Sequence, residues 1–196
     1  MRKITKHFKS KIRTRLRMYF DLATTEHIKN GIEWYRTANN YVDTLHSKYS
    51  QFTHEQIAGV ISALSPHNKW ERNLYDAEQV LQAVTENKSP NDIKVCTFNT
   101  NKFKAFAIAL GERSIDDSSR KTYSFVRNIA ELDPRFVTID VWHLRACFGK
   151  DMGTPTPKQY DEIARITIQE AKKVGLIGYQ YQAIIWECIR NRDTLI

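Results

Sequence analysis

Residues 133–149 read DPRFVTIDVWHLRACFG, and this stretch decides the fold class. Within it, Phe136 to Ile139 is the only strongly β-branched run of the chain, and a single run of this length cannot build a sheet. Asp140 follows directly and precedes apolar residues at helical spacing, which Gly149 ends. The sequence on both sides of the stretch also repeats its apolar residues every three or four positions. We therefore predict an all-α protein.

The helical segments can be placed by their start and stop signals. Thr53 and Gln56 form a capping-box pattern at the head of one helix, and Pro66 ends that helix. Residues 87–100 are rich in Asn, Ser and Pro and form a connection with room for one short helix. We expect helices near residues 8–20, 54–64, 69–86, 103–110, 120–132, 141–148, 158–173 and 179–190, and one helix or a broken pair through residues 24–48.

Composition excludes several classes of protein. The chain has 196 residues, of which 41% are hydrophobic and 27% charged, so it is long and apolar enough to form a packed core. It has no apolar run of the roughly 20 residues that a membrane span needs, and its first residues lack a signal-peptide pattern. Three widely spaced cysteines, Cys96, Cys147 and Cys188, indicate neither a disulfide framework nor a metal site. We expect a cytoplasmic protein without membrane, metal or cofactor, in the nucleoid or the cytoplasm of a host cell.

The positive charge of the chain is concentrated at its start. Residues 1–17 contain eight Lys and Arg and no acidic residue, which equals the whole formal net charge of +8. One interpretation is a solvated basic tail, and the other is an arm that neutralises phosphates of a nucleic acid. Phe8, Ile12 and Leu16 recur at helical spacing, which favours an amphipathic helix docked on the body. An anionic membrane surface is the weaker alternative partner.

Two polar residues are candidates for chemistry. Lys121 lies in the first turn of a helix, and Asp140 opens the next one, so one helix and one connector separate them. This spacing can bring both side chains to the mouth of a common cleft. A lysine amine can attack an electrophilic carbon, and a carboxylate can accept its proton or stabilise a developing cation. The structural alternatives are a solvated surface lysine and an ordinary helix N-cap.

The surroundings of these two residues resemble a known family. Ser119-Arg-Lys-Thr122, the helix after it and the run VTIDVWHLR over 137–145 resemble the core of the helix-hairpin-helix DNA glycosylases, the endonuclease III superfamily. Lys121, Asp140 and Arg145 fall on the Lys, the essential Asp and the Arg of that family. Residues 57–67, IAGVISALSPH, resemble its early helix and the loop that enters the DNA duplex. The resemblance covers roughly residues 53–192.

The resemblance implies a function and a mechanism. It implies a two-lobed helical bundle with a cleft, formed by residues 24–196 as one compact domain, with residues 1–23 as a basic arm. The activity implied is that of a monomeric DNA glycosylase that flips a damaged or modified base out of double-stranded DNA and breaks its glycosidic bond. Asp140 would stabilise the oxocarbenium-like sugar. Lys121 would attack C1′ and form a Schiff base that also cleaves an abasic strand.

The resemblance also implies contacts with DNA. The loop that begins at Ser65 would supply the wedge, and Trp70 either stacks on a base or belongs to the core. His67 either contacts DNA or is a plain surface residue. For Arg145, bracing the helix by pairing with an acid is the alternative to a DNA contact. The complete set of candidate contacts is Ser65, His67, Asn68, Trp70, Ser119, Arg120, Trp142, His143 and Arg145.

The sequence departs from the family at its hairpin. The family uses glycines there to approach a phosphate, whereas this chain has Asp116-Asp117-Ser118-Ser119. It also lacks the four cysteines of an iron–sulfur site. Two alternatives to a repair glycosylase therefore stay open: a non-catalytic DNA-binding module of the same fold, and a same-fold enzyme acting on hypermodified bases of phage DNA.

Overall fold

The computed structural model describes residues 4–149 and 153–192, and these residues form helices without any strand. The prediction of an all-α protein is confirmed for this part of the chain. One 3-10 turn, Pro90–Asp92, lies in the connection where room for a short helix was predicted. The α-helices are α1 Lys6–Asp21, α2 Thr25–Lys48, α3 His54–Leu64, α4 Trp70–Thr85, α5 Asn99–Ala109, α6 Arg120–Glu131, α7 Val141–Phe148, α8 Pro157–Lys173 and α9 Gly178–Arg192.

Local signals set the ends of these helices. The predicted capping box is present, since Thr53 Oγ1 accepts from the Gln56 N–H and Gln56 Oε1 accepts from the Thr53 N–H. α7 ends at Gly149, whose φ of 85° is a conformation that residues with a Cβ rarely adopt. None of the helices in the described ranges is both long and apolar enough to cross a lipid bilayer.

The chain divides into two compact units. The terminal unit combines Met1–Thr37 with Leu132–Ile196, and the central unit is Ala38–Glu131. α2 begins in the terminal unit and ends in the central unit. α1, which belongs to the predicted arm of residues 1–23, packs within the terminal unit.

The central unit is built around α3. Every residue from Ile57 to Leu64 is buried, and α4, α5 and α6 pack against this helix. Polar side chains tie the neighbours to it: Ser62 Oγ donates to the Thr122 carbonyl at 3.2 Å, and Gln56 Nε2 donates to the Ala109 carbonyl at 3.0 Å. The first bond fixes the start of α6, the helix that carries Lys121.

The terminal unit buries the apolar face of α1 against α7, α8 and α9. Phe8, Ile12 and Leu16 are buried, as expected for an amphipathic helix that docks on the body. The prediction of a docked helix is therefore confirmed. Two of the eight basic residues, Arg2 and Lys3, lie outside the described residues.

Several cations of α1 have partners inside the protein. Lys9 Nζ lies 2.9 Å from Glu162 Oε1, Arg17 Nε lies 2.6 Å from Glu170 Oε2, and Arg15 Nε donates to the Ala146 carbonyl at 2.7 Å. These contacts hold α1 on α8 and on the end of α7. The side chains of Lys6 and Lys11 are exposed, and a role in binding a polyanion stays a prediction.

Candidate functional site

The candidate residues from the sequence fall in both units. Those in the central unit are Ser65, His67, Asn68, Trp70, Ser119, Arg120 and Lys121, and those in the terminal unit are Asp140, Trp142, His143 and Arg145.

Lys121 is the second residue of α6 and is half-buried. It therefore lies in the first turn of a helix, where the backbone N–H groups give a partial positive charge. Arg120 precedes it, and the Arg120 guanidinium donates to the Asp117 carbonyl at 2.6 Å and lies 3.1 Å from Asp117 Oδ2. The turn and the first residue of α6 are thus joined by side chains.

The glycine-free turn before α6 is closed by its own first residue. Asp116 Oδ1 accepts hydrogen bonds from the Ser118 N–H, at 2.9 Å, and from the Ser118 hydroxyl. These bonds lower the pKa of Asp116. The Ser119 N–H donates to the Asp116 carbonyl at 3.2 Å. The carboxylate of Asp116 therefore occupies the Ser118 N–H.

The loop from Ser65 to Trp70 is held largely by internal bonds. Ser65 Oγ donates to the Ser62 carbonyl at 3.0 Å, so it caps the end of α3. Trp70 begins α4 half-buried, with its ring edge towards Phe125 at 6.4 Å between centroids. Ser65 thus has a structural role, while Trp70 keeps part of its surface accessible.

Like Lys69, His67 is an exposed residue of this loop. Its φ is 57°, a conformation that is uncommon for a residue other than glycine. The His67 ring meets Phe98 edge-on at 5.6 Å, and Phe98 is 61% exposed. The sequence did not single out Phe98, because the Asn-rich connection around it looked like a plain loop.

Asp76 of α4 binds the two segments that carry His67 and Phe98. This fully buried carboxylate accepts from Asn68 Nδ2 at 3.0 Å, from Arg72 Nε at 2.8 Å and from the Cys96 N–H at 2.8 Å. It joins the loop of His67 to the connection that carries Phe98. Asn68 is therefore a hydrogen-bond donor to the buried Asp76, and this bond stabilises the loop.

Asp140 is the N-cap of α7 in the terminal unit. Its Oδ1 accepts from the His143 N–H at 2.8 Å, and the residue is half-buried. The preceding residues Val137 to Ile139 are buried. The structural alternative considered from the sequence, a helix cap, is present, and it fixes one carboxylate oxygen without excluding chemistry at the residue.

The backbone of the segment before Asp140 forms hydrogen bonds with the side chain of Tyr160, whereas in a sheet it would bond to a neighbouring strand. Tyr160 of α8 donates its hydroxyl hydrogen to the Val137 carbonyl at 3.0 Å, and its oxygen accepts from the Ile139 N–H at 2.9 Å. Buried backbone groups must find such partners. The β-branched run therefore stays irregular within an all-helical unit.

The predicted DNA contact of His143 is wrong for this structure, because the side chain is fully buried. Its Nε2 lies 2.9 Å from Thr167 Oγ1 of α8, and its buried Nδ1 has no hydrogen-bond partner among the residues that the structure describes. Burial lowers the pKa of His143 to about 3, so the imidazole is neutral at physiological pH. His143 belongs to the core between α7 and α8.

Trp142 and Arg145 form a pair on α7. The guanidinium carbon of Arg145 lies 4.5 Å from the centroid of the Trp142 ring, and both residues are half-buried. Such stacking is favourable for Arg on Trp. The Arg145 carbonyl also accepts from Arg15 Nη2 at 3.3 Å. Arg145 thus stacks on the ring of Trp142, three residues earlier on the same helix.

Tyr35 of α2 adds a buried phenol to this unit. Its hydroxyl donates to Gln182 Oε1 of α9 at 2.8 Å. Burial raises the pKa of Tyr35, and the charge of Asp140 acts in the same direction. Tyr35 therefore stays protonated. Sequence reasoning missed it because an aromatic residue on a helical face is usually a core residue.

The fold and the candidate residues define an all-helical protein whose two chemically interesting side chains each stand at the start of a helix. A family model described as "Family of unknown function (DUF7178)" matches residues 1–193. The chain belongs to this family. No curated protein and no solved structure matches it.

Proposed function

We propose that this protein is a DNA glycosylase with an associated abasic-site lyase activity. It would flip a damaged or modified base out of double-stranded DNA and break the bond between C1′ and the base. Lys121 is the proposed nucleophile, and Asp140 is the proposed carboxylate that assists it.

The observation that carries the proposal is the environment of the two residues. Lys121 stands in the first turn of α6, and Asp140 stands as N-cap of α7 with one oxygen fixed by the His143 N–H. Both positions, and their separation by one helix and one connector, agree with the helix-hairpin-helix glycosylase motif that the sequence resembles. A half-buried carboxylate with a fixed orientation is suited to stabilising a cation on a sugar.

The reaction can be written from these groups. As the C1′–N bond breaks, its electron pair leaves with the base, which takes up a proton. The positive charge that develops on the sugar is stabilised by the carboxylate of Asp140. The Lys121 amine forms a bond to C1′ and loses a proton to solvent. The C1′–O4′ bond then breaks as O4′ takes up a proton, and the nitrogen lone pair completes a protonated Schiff base. Elimination from this intermediate cleaves the strand.

The central unit supports the step that must come first. A stacked base is out of reach, so a flipping enzyme has to fill the space that the base leaves. The loop of His67 presents an exposed imidazole beside the exposed ring of Phe98. The hydrogen bonds of the buried Asp76 hold the protein segments that carry these two rings. Aromatic rings of this kind stack on nucleobases.

The test uses a duplex with a preformed abasic site, so the identity of the base is not needed. Borohydride reduces a Schiff base to a stable amine, and the protein should become covalently attached to the DNA. We expect Lys121→Ala to abolish the adduct. Lys94→Ala is the matched control, because it removes an exposed lysine from the same unit, and it should leave the adduct unchanged.

Two results would contradict the proposal. An adduct that forms equally with Lys121→Ala would come from other lysines and would refute the assigned nucleophile. Tight duplex binding without any adduct would indicate the non-catalytic DNA-binding module instead. If the adduct depends on Lys121, a panel of damaged and hypermodified bases then separates repair from action on modified phage DNA.

A further inference from the structure

Two residues of α8, Tyr160 and Thr167, hold the backbone before and after Asp140. Before it, the Tyr160 hydroxyl binds the Val137 carbonyl and the Ile139 N–H. This hydroxyl uses its one hydrogen and an oxygen lone pair on two peptide groups that lie on either side of Thr138. The segment that leads into Asp140 can therefore shift only if both bonds break.

After Asp140, the same helix makes a second attachment. Thr167 Oγ1 lies 2.9 Å from His143 Nε2 and donates its own hydrogen to the Ile163 carbonyl at 3.0 Å. Because the only hydrogen of this hydroxyl is used, His143 must be the donor, with its proton on Nε2. The His143 N–H in turn binds the Asp140 carboxylate at 2.8 Å.

The two anchors share a face of α8. Tyr160 and Thr167 are seven residues apart, which is close to two helical turns, so they project from the same side. Both are buried. A single rigid helix therefore sets the position of the residues immediately before and after Asp140.

We infer that Tyr160 and Thr167 are positioning residues that fix the carboxylate of Asp140 for its reaction. This inference rests on the proposed function. Neither residue touches the substrate in this scheme, and both act through the backbone and His143. An alternative is that they only stabilise the terminal unit, and this role would not depend on Asp140.

The first experiment measures hydrogen exchange of residues 137–143 in the absence of substrate. In Tyr160→Phe the ring is retained and both hydrogen bonds are lost. We expect hydrogen exchange of the peptide covering residues 137–143 to become about tenfold faster, since breaking local bonds lowers the free energy of local opening. Tyr181→Phe is the control, because Tyr181 is equally buried in the same unit and its hydroxyl has no bond to this segment in the described chain.

The second experiment is a double-mutant cycle on the rate of adduct formation with the abasic duplex. We expect Asp140→Asn and Tyr160→Phe each to slow the Lys121-dependent adduct, while Tyr181→Phe does not. In the Asp140→Asn background, Tyr160→Phe should have no further effect, because residues that act through one group are non-additive. If the two effects multiply, Tyr160 does not act through Asp140, and the inference is refuted.

Thr167 gives an independent check if Tyr160→Phe fails to fold. Thr167→Val removes the acceptor of His143 at nearly constant shape, and Thr167→Ser keeps it. We expect Val to slow the adduct and Ser to restore the rate. Equal rates for the two variants would contradict the inference.

Failure of the proposed function gives a different pattern. If the wild type forms no Lys121-dependent adduct, the proposed function is refuted. The catalytic importance of Tyr160 and Thr167, which form a clamp around the segment of Asp140, is then refuted with it. A normal wild-type adduct with unchanged rates in the clamp variants would refute only the positioning role. The exchange measurement tells whether the clamp holds the segment in either case.

Discussion

Glu170 of α8 binds the guanidinium of Arg17 of α1 through two hydrogen bonds, of 2.6 and 3.2 Å. Lys173 Nζ donates to the same carboxylate at 2.6 Å. Glu170 is 2% exposed, and burial acts to raise its pKa. The bonds from Arg17 and Lys173 outweigh burial, so the pKa is lowered. α1 is therefore held by a buried carboxylate as well as by its apolar face.

We expect Glu170→Gln to lower the free energy of unfolding by about 1.5–3 kcal/mol at pH 7, because hydrogen bonds to a buried charge are lost. Urea unfolding of the full chain measures this. Glu162→Gln is the control on the same helix: Glu162 also pairs with α1, through Lys9, but its side chain is 15% exposed. Its loss should be smaller. Equal losses for the two variants would contradict the importance of burial at Glu170.

The buried imidazole of His143 predicts a pH dependence of stability. Its pKa is about 3 in the folded protein, against an ordinary value of 6.5. Because the folded value is depressed, the stabilisation is complete above about pH 6.5 and is lost as the pH falls towards 3. Between pH 6.5 and 3, His143 binds a proton in the unfolded chain and does not bind one in the folded chain. Each pH unit below 6.5 should lower the free energy of unfolding by up to about 1.4 kcal/mol.

The variant His143→Gln isolates this effect. Its amide can still donate to Thr167 Oγ1, yet it does not titrate. We expect the wild type to lose more stability than the variant between pH 7 and pH 5 in urea unfolding. All other ionisable groups are the same in both proteins, so their contributions cancel in the comparison. Parallel curves would show that His143 is accessible to protons in the folded state.

A close approach of two helices gives a steric prediction for the terminal unit. A Cβ added to Gly31 of α2 would lie 2.5 Å from the backbone nitrogen of Ile184 of α9. Because backbone cannot rotate away, we expect Gly31→Ala to destabilise the protein by about 1–3 kcal/mol, even though Ala favours helices. Thermal or urea unfolding measures the change.

Gly59→Ala is the matched control in the central unit. A Cβ there meets the Ile108 side chain at 2.9 Å, and a side chain can adjust. The loss should be smaller than at Gly31. A stability of Gly31→Ala equal to that of the wild type would mean that α2 and α9 separate easily.

The turn before α6 predicts how charge controls DNA affinity, given the proposed function. Asp116 occupies the Ser118 N–H, and a phosphate would compete with it. We expect Asp116→Ala, which frees the Ser118 N–H, to bind duplex DNA several-fold more tightly and to steepen the slope of log K against log salt by about 0.9, as for one added phosphate contact. Titrations at several salt concentrations measure both quantities.

Glu112→Gln is the control for this experiment, since it removes the same charge from an exposed position of the same connection. A general reduction of repulsion would raise the affinity of both variants equally. That result would contradict a specific competition between Asp116 and phosphate.

The helices and their caps were predictable because their signals are local. Thr53 with Gln56, and Gly149 at the end of α7, act within one turn of the backbone. The prediction left open whether residues 24–48 form one helix or two, and they form α2 without a break. Periodicity alone did not decide this, since the choice depends on packing against other elements.

The partners of the candidate site were not predictable in the same way. Tyr160 lies 21 and 23 residues from the peptide groups that it binds, and its spacing on α8 is that of any core tyrosine. His143 was misjudged for a related reason: nothing in the sequence indicates that Thr167 provides a buried partner for an imidazole. Asp76 accepts hydrogen bonds from three donors, and no local pattern in the sequence indicates these partners.

The division of the chain into units has a consequence for the order of assembly during synthesis. The central unit is one continuous stretch, so all of its core leaves the ribosome together. α1 is made before the central unit, but Phe8 stacks on Phe148 and Phe20 stacks on Tyr181, which are made after it. The nascent chain therefore carries the apolar face of α1 uncovered while the central unit folds, and α1 is buried only after the later helices have been synthesised.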